Sequence, residues 1–274
     1  MMGNTKKHIG EFLGAGGIRL CMQSWLPESE YKAAIIIMHG GVNYCDMDMY
    51  NQLAYTLAEA GFAVYSFDQR GFGRSEGEMM HLASWDAIRG DFAAFIRKVR
   101  TLAPGKKIFA YGLSFGAIQT LDQAIVSPHL LSGIIINSFS TQKVTHISPV
   151  ILKVIDVVAM VFPKMRVAAE LDQSDSGNAW RDPLTPTTMT LATPKNLFKQ
   201  QQKIAMQLHE IMIPVFHQQG LMDEITLPDR ELAAKFEAVD YTYKEYAEMG
   251  HSLLAGVEAD WVMNDICKWL EERL

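Results

Sequence analysis

Apolar residues gather in short unbroken runs along this chain. Ala33–Met38 (AAIIIM) ends at His39-Gly40-Gly41, Phe62–Phe67 ends at Asp68, and Lys107–Tyr111 ends at Gly112. Gly133–Asn137 (GIIIN), Ile213–Gln218 and Tyr241–Tyr246 continue the series. Runs of this kind, without polar alternation, suit strands buried on both faces. Between them the apolar spacing widens to three and four. Leu53, Leu57 and Ala60 mark a helix over Met49–Ala60 that stops at Gly61, a suitable C-terminal cap. Ile88, Phe92, Phe95, Ile96 and Val99 mark a longer one over Ala83–Leu102. Further helices are predicted after Gly116, to about Val126, and over Asp260–Leu274. His8–Gly14 and Ile18–Trp25 predict an opening hairpin. Alternating strand and helix predict an α/β fold with a mostly parallel central sheet covered on both faces.

The rhythm breaks between about Phe139 and Met212, where no strand of the core type is predicted. An apolar helix-like segment, Pro149–Phe162, precedes a polar, turn-rich stretch holding Pro183, Pro186 and Pro194. Residues 1–138 and 212–274 are therefore expected to form one core, with 139–211 as an inserted helical cap.

Composition narrows the function. The chain has 274 residues, is 49% hydrophobic and 20% charged, and carries a formal charge of −6. That is too apolar for disorder. The negative balance gives no electrostatic reason to bind nucleic acid. The longest stretch without Asp, Glu, Lys or Arg, Gln123–Gln142, contains Pro128, Gly133 and Asn137 and reads as a helix end plus a strand, not a membrane span. MMGNTKKHIGEF lacks the apolar core of a signal peptide. Cys21, Cys45 and Cys267 are odd in number and far apart, so no disulfide framework follows and a reducing cytoplasm is the expected compartment. No His/Cys/Asp cluster has metal-ligand spacing, so no metal is expected. The loop Asp68-Gln69-Arg70-Gly71 lacks the glycine spacing and the lysine of a phosphate cradle; it is expected to be structural, with Arg70 paired internally.

Gly112-Leu113-Ser114-Phe115-Gly116 fits G-x-S-x-G, a pattern that composition alone yields about 0.07 times in a chain this long. Its place between a predicted strand and a predicted helix is what a nucleophile elbow requires. A serine hydroxyl needs a base, and the expected chain order is Ser, then acid, then His. Asp223 follows the fifth core strand and His251 follows the sixth. Both fall at the strand ends where open α/β sheets place ligands. Glu224 is the competitor for the acid role. His39 is expected to shape the oxyanion loop and not to act as base. Backbone N–H groups of Gly41 and Phe115 are the candidate oxyanion donors.

With these pieces in place the chain resembles the α/β-hydrolase superfamily, and within it the monoacylglycerol-lipase and lysophospholipase-like group catalogued with serine aminopeptidases of type S33. MHGG, FDQRGFGRSEG, GLSFG, Asp182-Pro183-Leu184, GLMD and MGHSLL carry the resemblance from about residue 35 to 255. One departure stands out. The group continues its oxyanion loop as HGxGEHxxRY, whereas this chain reads HGGVNYCDMDMY, with Tyr50 two residues late.

The resemblance implies an α/β-hydrolase fold and cofactor-free hydrolysis of small-molecule acyl esters, with Ser114, Asp223 and His251 as the triad. It also implies a cap that selects the acyl chain. On that cap Ile151, Val154, Ile155 and Val158 belong to one apolar stripe and are the candidate substrate-lining residues. The stripe fits either a helix buried between cap and core or a lid that lines the acyl pocket and touches a membrane surface in passing. Acyl thioesterase is the runner-up activity. A peptidase would need an acidic pocket for the substrate amine, for which Glu170, Asp172 and Asp175 are candidates. A non-catalytic ligand receptor on the same fold is the alternative from another class.

Overall fold

The computed structural model describes residues 5–141, 157–169, 182–236 and 240–274. Eight strands form the main sheet: β1 (Lys6–Leu13), β2 (Arg19–Leu26), β3 (Ala34–Met38), β4 (Ala63–Phe67), β5 (Ile108–Leu113), β6 (Gly133–Asn137), β9 (Val215–Gly220) and β10 (Tyr241–Tyr246). Their order is β1-β2-β4-β3-β5-β6-β9-β10. β1 pairs antiparallel with β2, and β2 with β4; every other pairing is parallel. A separate antiparallel pair joins β7 (Arg166–Ala168) to β8 (Thr188–Thr190).

The isoleucine runs explain the layering. Side chains alternate across a strand, so Ile36, Ile134 and Ile136 face one apolar core while Ile35, Ile37 and Ile135 face the other. The first core is completed by Phe92, Phe95, Ile96 and Val99 of α2 (Trp85–Leu102) and by Ala117, Ile118 and Leu121 of α3 (Phe115–Val126). The second takes Leu53, Ala54 and Leu57 of α1 (Asp48–Glu59) and Val262, Ile266 and Trp269 of the closing helix Ala259–Glu271. Every core residue of β3 and β6 is buried, which is why no polar position interrupts those strands.

Two segments differ from the expectation. The strand expected over Ile213–Gln218 runs instead over Val215–Gly220. Pro214 has no N–H to give the ladder, and it only accepts, from Ile134 N–H at 2.9 Å. Within the polar stretch read as turns, Ala192–Gln207 is a sixteen-residue helix, α4, and the closing helix is therefore α5. Pro194 lies in its first turn, where proline is tolerated. Its buried positions include Gln200, whose amide donates to Asp122 Oδ1 at 2.6 Å on α3. The polar contact hides the helix from an apolar-spacing rule. Of the expected helix Pro149–Phe162, residues 157–161 are helical and those before 157 lie outside the described residues.

Among the described residues no helix is long and apolar enough to cross a membrane. All three cysteines are free thiols.

Candidate active site

The turn from β5 into α3 is flanked by two glycines that leave no room for a side chain. A Cβ on Gly112 would lie 2.4 Å from Gly116 O, and a Cβ on Gly116 would lie 2.2 Å from Met38 O. Those approaches are to backbone atoms that cannot step aside. Between the glycines Ser114 holds φ 51° and ψ −108°, a conformation that strains any L-residue. Its N–H donates to Asn137 O at the end of β6, at 2.9 Å. α3 starts at the next residue, so its positive end faces the serine. Among the described residues Ser114 Oγ makes no hydrogen bond; nucleophile and base often close up only when substrate is bound.

Asp223 and His251 meet. His251 Nδ1 lies 3.0 Å from Asp223 Oδ2 and 3.1 Å from Oδ1. The carboxylate is fully enclosed, whereas the imidazole keeps 11% of its side chain accessible. Glu224 is exposed and takes no part in the pair. Asp223 Oδ1 also accepts from Ile225 N–H and Thr226 N–H, each at 2.8 Å. Its Oδ2 accepts from Gln219 Nε2 at 3.1 Å and from the Thr226 hydroxyl. Burial alone would raise this carboxyl; the bonds from His251 and Thr226 outweigh it and hold Asp223 below the usual carboxylate range. Gln219 and Thr226 had no sequence signal, because neither belongs to a motif and their role comes from the turn after β9.

The last residue of β6 and the one after it tie the two halves together. Asn137 O receives the Ser114 N–H, and the next residue, Ser138, donates its hydroxyl to His251 O at 2.5 Å.

Opposite the elbow lies the loop after β3. His39 is fully buried; its Nε2 accepts from Gln69 N–H at 3.1 Å, which leaves Nδ1–H to donate to Gly40 O at 2.8 Å. Both ring nitrogens are thus engaged in holding backbone. Tyr50, fully buried on α1, accepts from Gly40 N–H at 2.8 Å and donates to Asn43 Oδ1 at 2.9 Å. Val42 adopts φ 55°, so the left-handed turn persists where the related pattern carries glycine. Gly41 lies beside Phe115, a Cβ on it falling 4.0 Å from Phe115 Cβ. Among the described residues neither the Gly41 nor the Phe115 N–H has an acceptor.

The glycine-rich loop after β4 braces this arrangement. Asp68 accepts from Cys45 N–H at 2.7 Å and from Arg74 N–H at 2.8 Å. Arg70 forks onto Asp91 at 2.5 and 2.7 Å and reaches Ala15 O at 2.9 Å. Asp182, of the Asp-Pro-Leu segment, accepts from the Tyr44 hydroxyl and so connects that segment to the loop after β3. No group of three or more His, Cys, Asp or Glu among the described residues is arranged to hold a metal.

Two buried histidines leave a signature in stability. Burial lowers His39 from its ordinary value and lowers His217, which shares a hydrogen bond with Tyr241, to about 3. An unfolded histidine takes up its proton near pH 6.5, by reference values. Below that pH, down to about 3, the unfolded chain binds a proton that folded His217 refuses. Stability therefore falls as pH falls, by about 1.4 kcal/mol per pH unit for each such site. Melting curves should show His217→Gln with a shallower decline between pH 6 and pH 4 than the parent, and equal slopes would contradict this assignment.

The family described as serine aminopeptidase, S33 (Hydrolase_4) matches residues 29–258. The chain belongs to this family. Among relatives of this hydrolase, caffeoylshikimate esterase of Arabidopsis thaliana is 26% identical over 93% of the chain and 83% of its own length. Monoacylglycerol lipase of Mycolicibacterium smegmatis is 21% identical over 96% of both. A soluble variant of monoglyceride lipase from Saccharomyces cerevisiae, solved with a substrate analogue, superposes with a TM-score of 0.82 at 20% identity, covering 100% of this chain and 97% of that one. The hydrolase thus has the α/β-hydrolase fold and sits in the monoacylglycerol-lipase-like group.

Of the residues the sequence nominated, the structure brings Asp223 to His251 and sets Gly41 beside Phe115. Ile151, Val154 and Ile155, and likewise Glu170, Asp172 and Asp175, lie outside the described residues. Val158 lies in the helical stretch 157–161 and is partly exposed.

Proposed function

We propose that this hydrolase cleaves carboxylic esters of acyl chains through an acyl-enzyme on Ser114. Its family and its lipase and esterase relatives support a carboxylic ester hydrolase. The observation that carries the mechanism is the enclosed Asp223–His251 pair, linked through Ser138 and Asn137 to the backbone of a strained serine.

In the proposed cycle Ser114 Oγ adds to the ester carbonyl carbon while its proton passes to His251 Nε2. Asp223 fixes the tautomer that leaves Nε2 free to accept and stabilises the cation that forms. Gly41 and Phe115 N–H groups receive the developing oxyanion, worth about 3–4 kcal/mol per donor. The tetrahedral intermediate collapses, the alcohol leaves with the proton from His251, and water repeats the sequence at the acyl carbon. Both oxyanion donors are main chain. A side-chain change at Phe115 that keeps the backbone in place therefore spares the donor, and its cost falls on the packing of the buried ring against Phe72 and Trp85.

Residues 139–211 act as the cap, and its stripe of Ile151, Val154, Ile155 and Val158 holds the acyl chain and meets a membrane surface transiently. Each methylene that enters such a pocket contributes up to about 0.8 kcal/mol, roughly fourfold in kcat/KM. The test is a panel of p-nitrophenyl esters of increasing chain length beside acyl thioesters and aminoacyl amides. Esters should be the best substrates, with kcat/KM rising along the series. Faster turnover of thioesters or of aminoacyl amides would overturn the ester assignment.

A further inference from the structure

The chain leaves β6 through Ser138, which is fully buried and holds φ 54°. Left-handed backbone is uncommon for serine and persists only where surroundings enforce it. Here the surroundings are two hydrogen bonds. Ser138 N–H donates to Gln218 O at 3.1 Å, on the strand that leads to Asp223. Its hydroxyl crosses to His251 O at 2.5 Å. One residue earlier, Asn137 O accepts the Ser114 N–H at 2.9 Å. The segment between the nucleophile strand and the acid strand thus grips the main chain of Ser114, of the acid strand and of His251.

His251 needs such a grip. It lies in the loop after β10 and not on a strand or helix. Among the described residues its ring is held on one side, by Asp223 and by Thr226 Oγ1 at 3.4 Å from Nδ1. A ring tethered at Nδ1 alone can still swing about that bond and carry Nε2 off the serine. A second hold on the main chain removes that freedom.

We infer that Ser138 is a positioning residue for His251, fixing the main chain of the base relative to the elbow through its hydroxyl. The inference rests on the triad reading above. Catalytic geometry tolerates little slack, and displacements near 1 Å cost up to about a hundredfold. Loss of one buried hydrogen bond with partial recovery corresponds to about a three- to tenfold fall in kcat.

The test compares Ser138→Ala and Ser138→Gly with the parent and with Ser114→Ala, on one p-nitrophenyl ester. Ala keeps the backbone cost of the left-handed turn, whereas Gly removes it; both delete the hydroxyl. A positioning role predicts that both lower kcat about three- to tenfold, with KM unchanged and with slower labelling of Ser114 by a fluorophosphonate, while Gly melts no lower than Ala. Parent-like kcat and labelling in the Gly variant would overturn the role even if the Ala variant failed to fold. Retained turnover in Ser114→Ala would overturn the triad reading itself, so the two failures are distinguishable.

Discussion

Replacing Ser114 with alanine is expected to lower kcat on esters by about 10⁴-fold or more, to the residue left by binding and the oxyanion donors. The fold should barely register the change. Alanine at φ 51° carries the same backbone strain as serine, and among the described residues no hydrogen bond of the hydroxyl is lost. The Ser114 N–H still donates to Asn137 O. The melting temperature should therefore stay within a few degrees of the parent's while turnover disappears. Kinetics together with a thermal melt checks both halves. Parent-like turnover would remove Ser114 from the chemistry.

Asp223→Asn should cost about 10⁴-fold in kcat for a different reason, and it should also cost stability. Each carboxylate oxygen of Asp223 receives donors: two backbone N–H groups on Oδ1, and an amide and a hydroxyl on Oδ2. An asparagine must turn its NH₂ toward one of these sets, so a donor meets donors in an enclosed site, at about 1–3 kcal/mol. It also presents a donor to His251 and favours the wrong tautomer. The parent carboxyl lies below the usual range, so it adds stability above ordinary carboxylate pKa values and loses it as pH falls through its lowered one. The Asn variant should lack that part of the acid-side decline. An Asn variant with a full rate would point to another acid, Glu224 being the neighbour to replace next.

Much of the core could be read from the chain because burial on both faces leaves an unbroken run. Ile35–Ile37 and Ile134–Ile136 supply alternate side chains to two cores, so every position must be apolar. The elbow was legible because Gly112 and Gly116 face backbone at distances that admit no side chain. What stayed hidden depends on polar partners far away in sequence. Gln200 is buried on α4 because Asp122 receives it, and apolar spacing cannot report that. Tyr50 supports the loop after β3 from α1, although its place in the sequence pattern is shifted. Val42 keeps a left-handed turn without the glycine that would advertise it. Ser138 carries no mark at all, since a serine with positive φ looks like any other until the strands around it are paired.

One serine, activated by the Asp223–His251 pair, is expected to form a covalent intermediate. Incubation with a fluorophosphonate followed by intact-mass measurement and peptide mapping tests it most directly. A single adduct on Ser114 is expected in the parent, none on Ser114→Ala, and strongly slowed labelling on Asp223→Asn. A parent that turns over esters while Ser114 stays unlabelled, or an adduct of equal yield in Ser114→Ala, would contradict it.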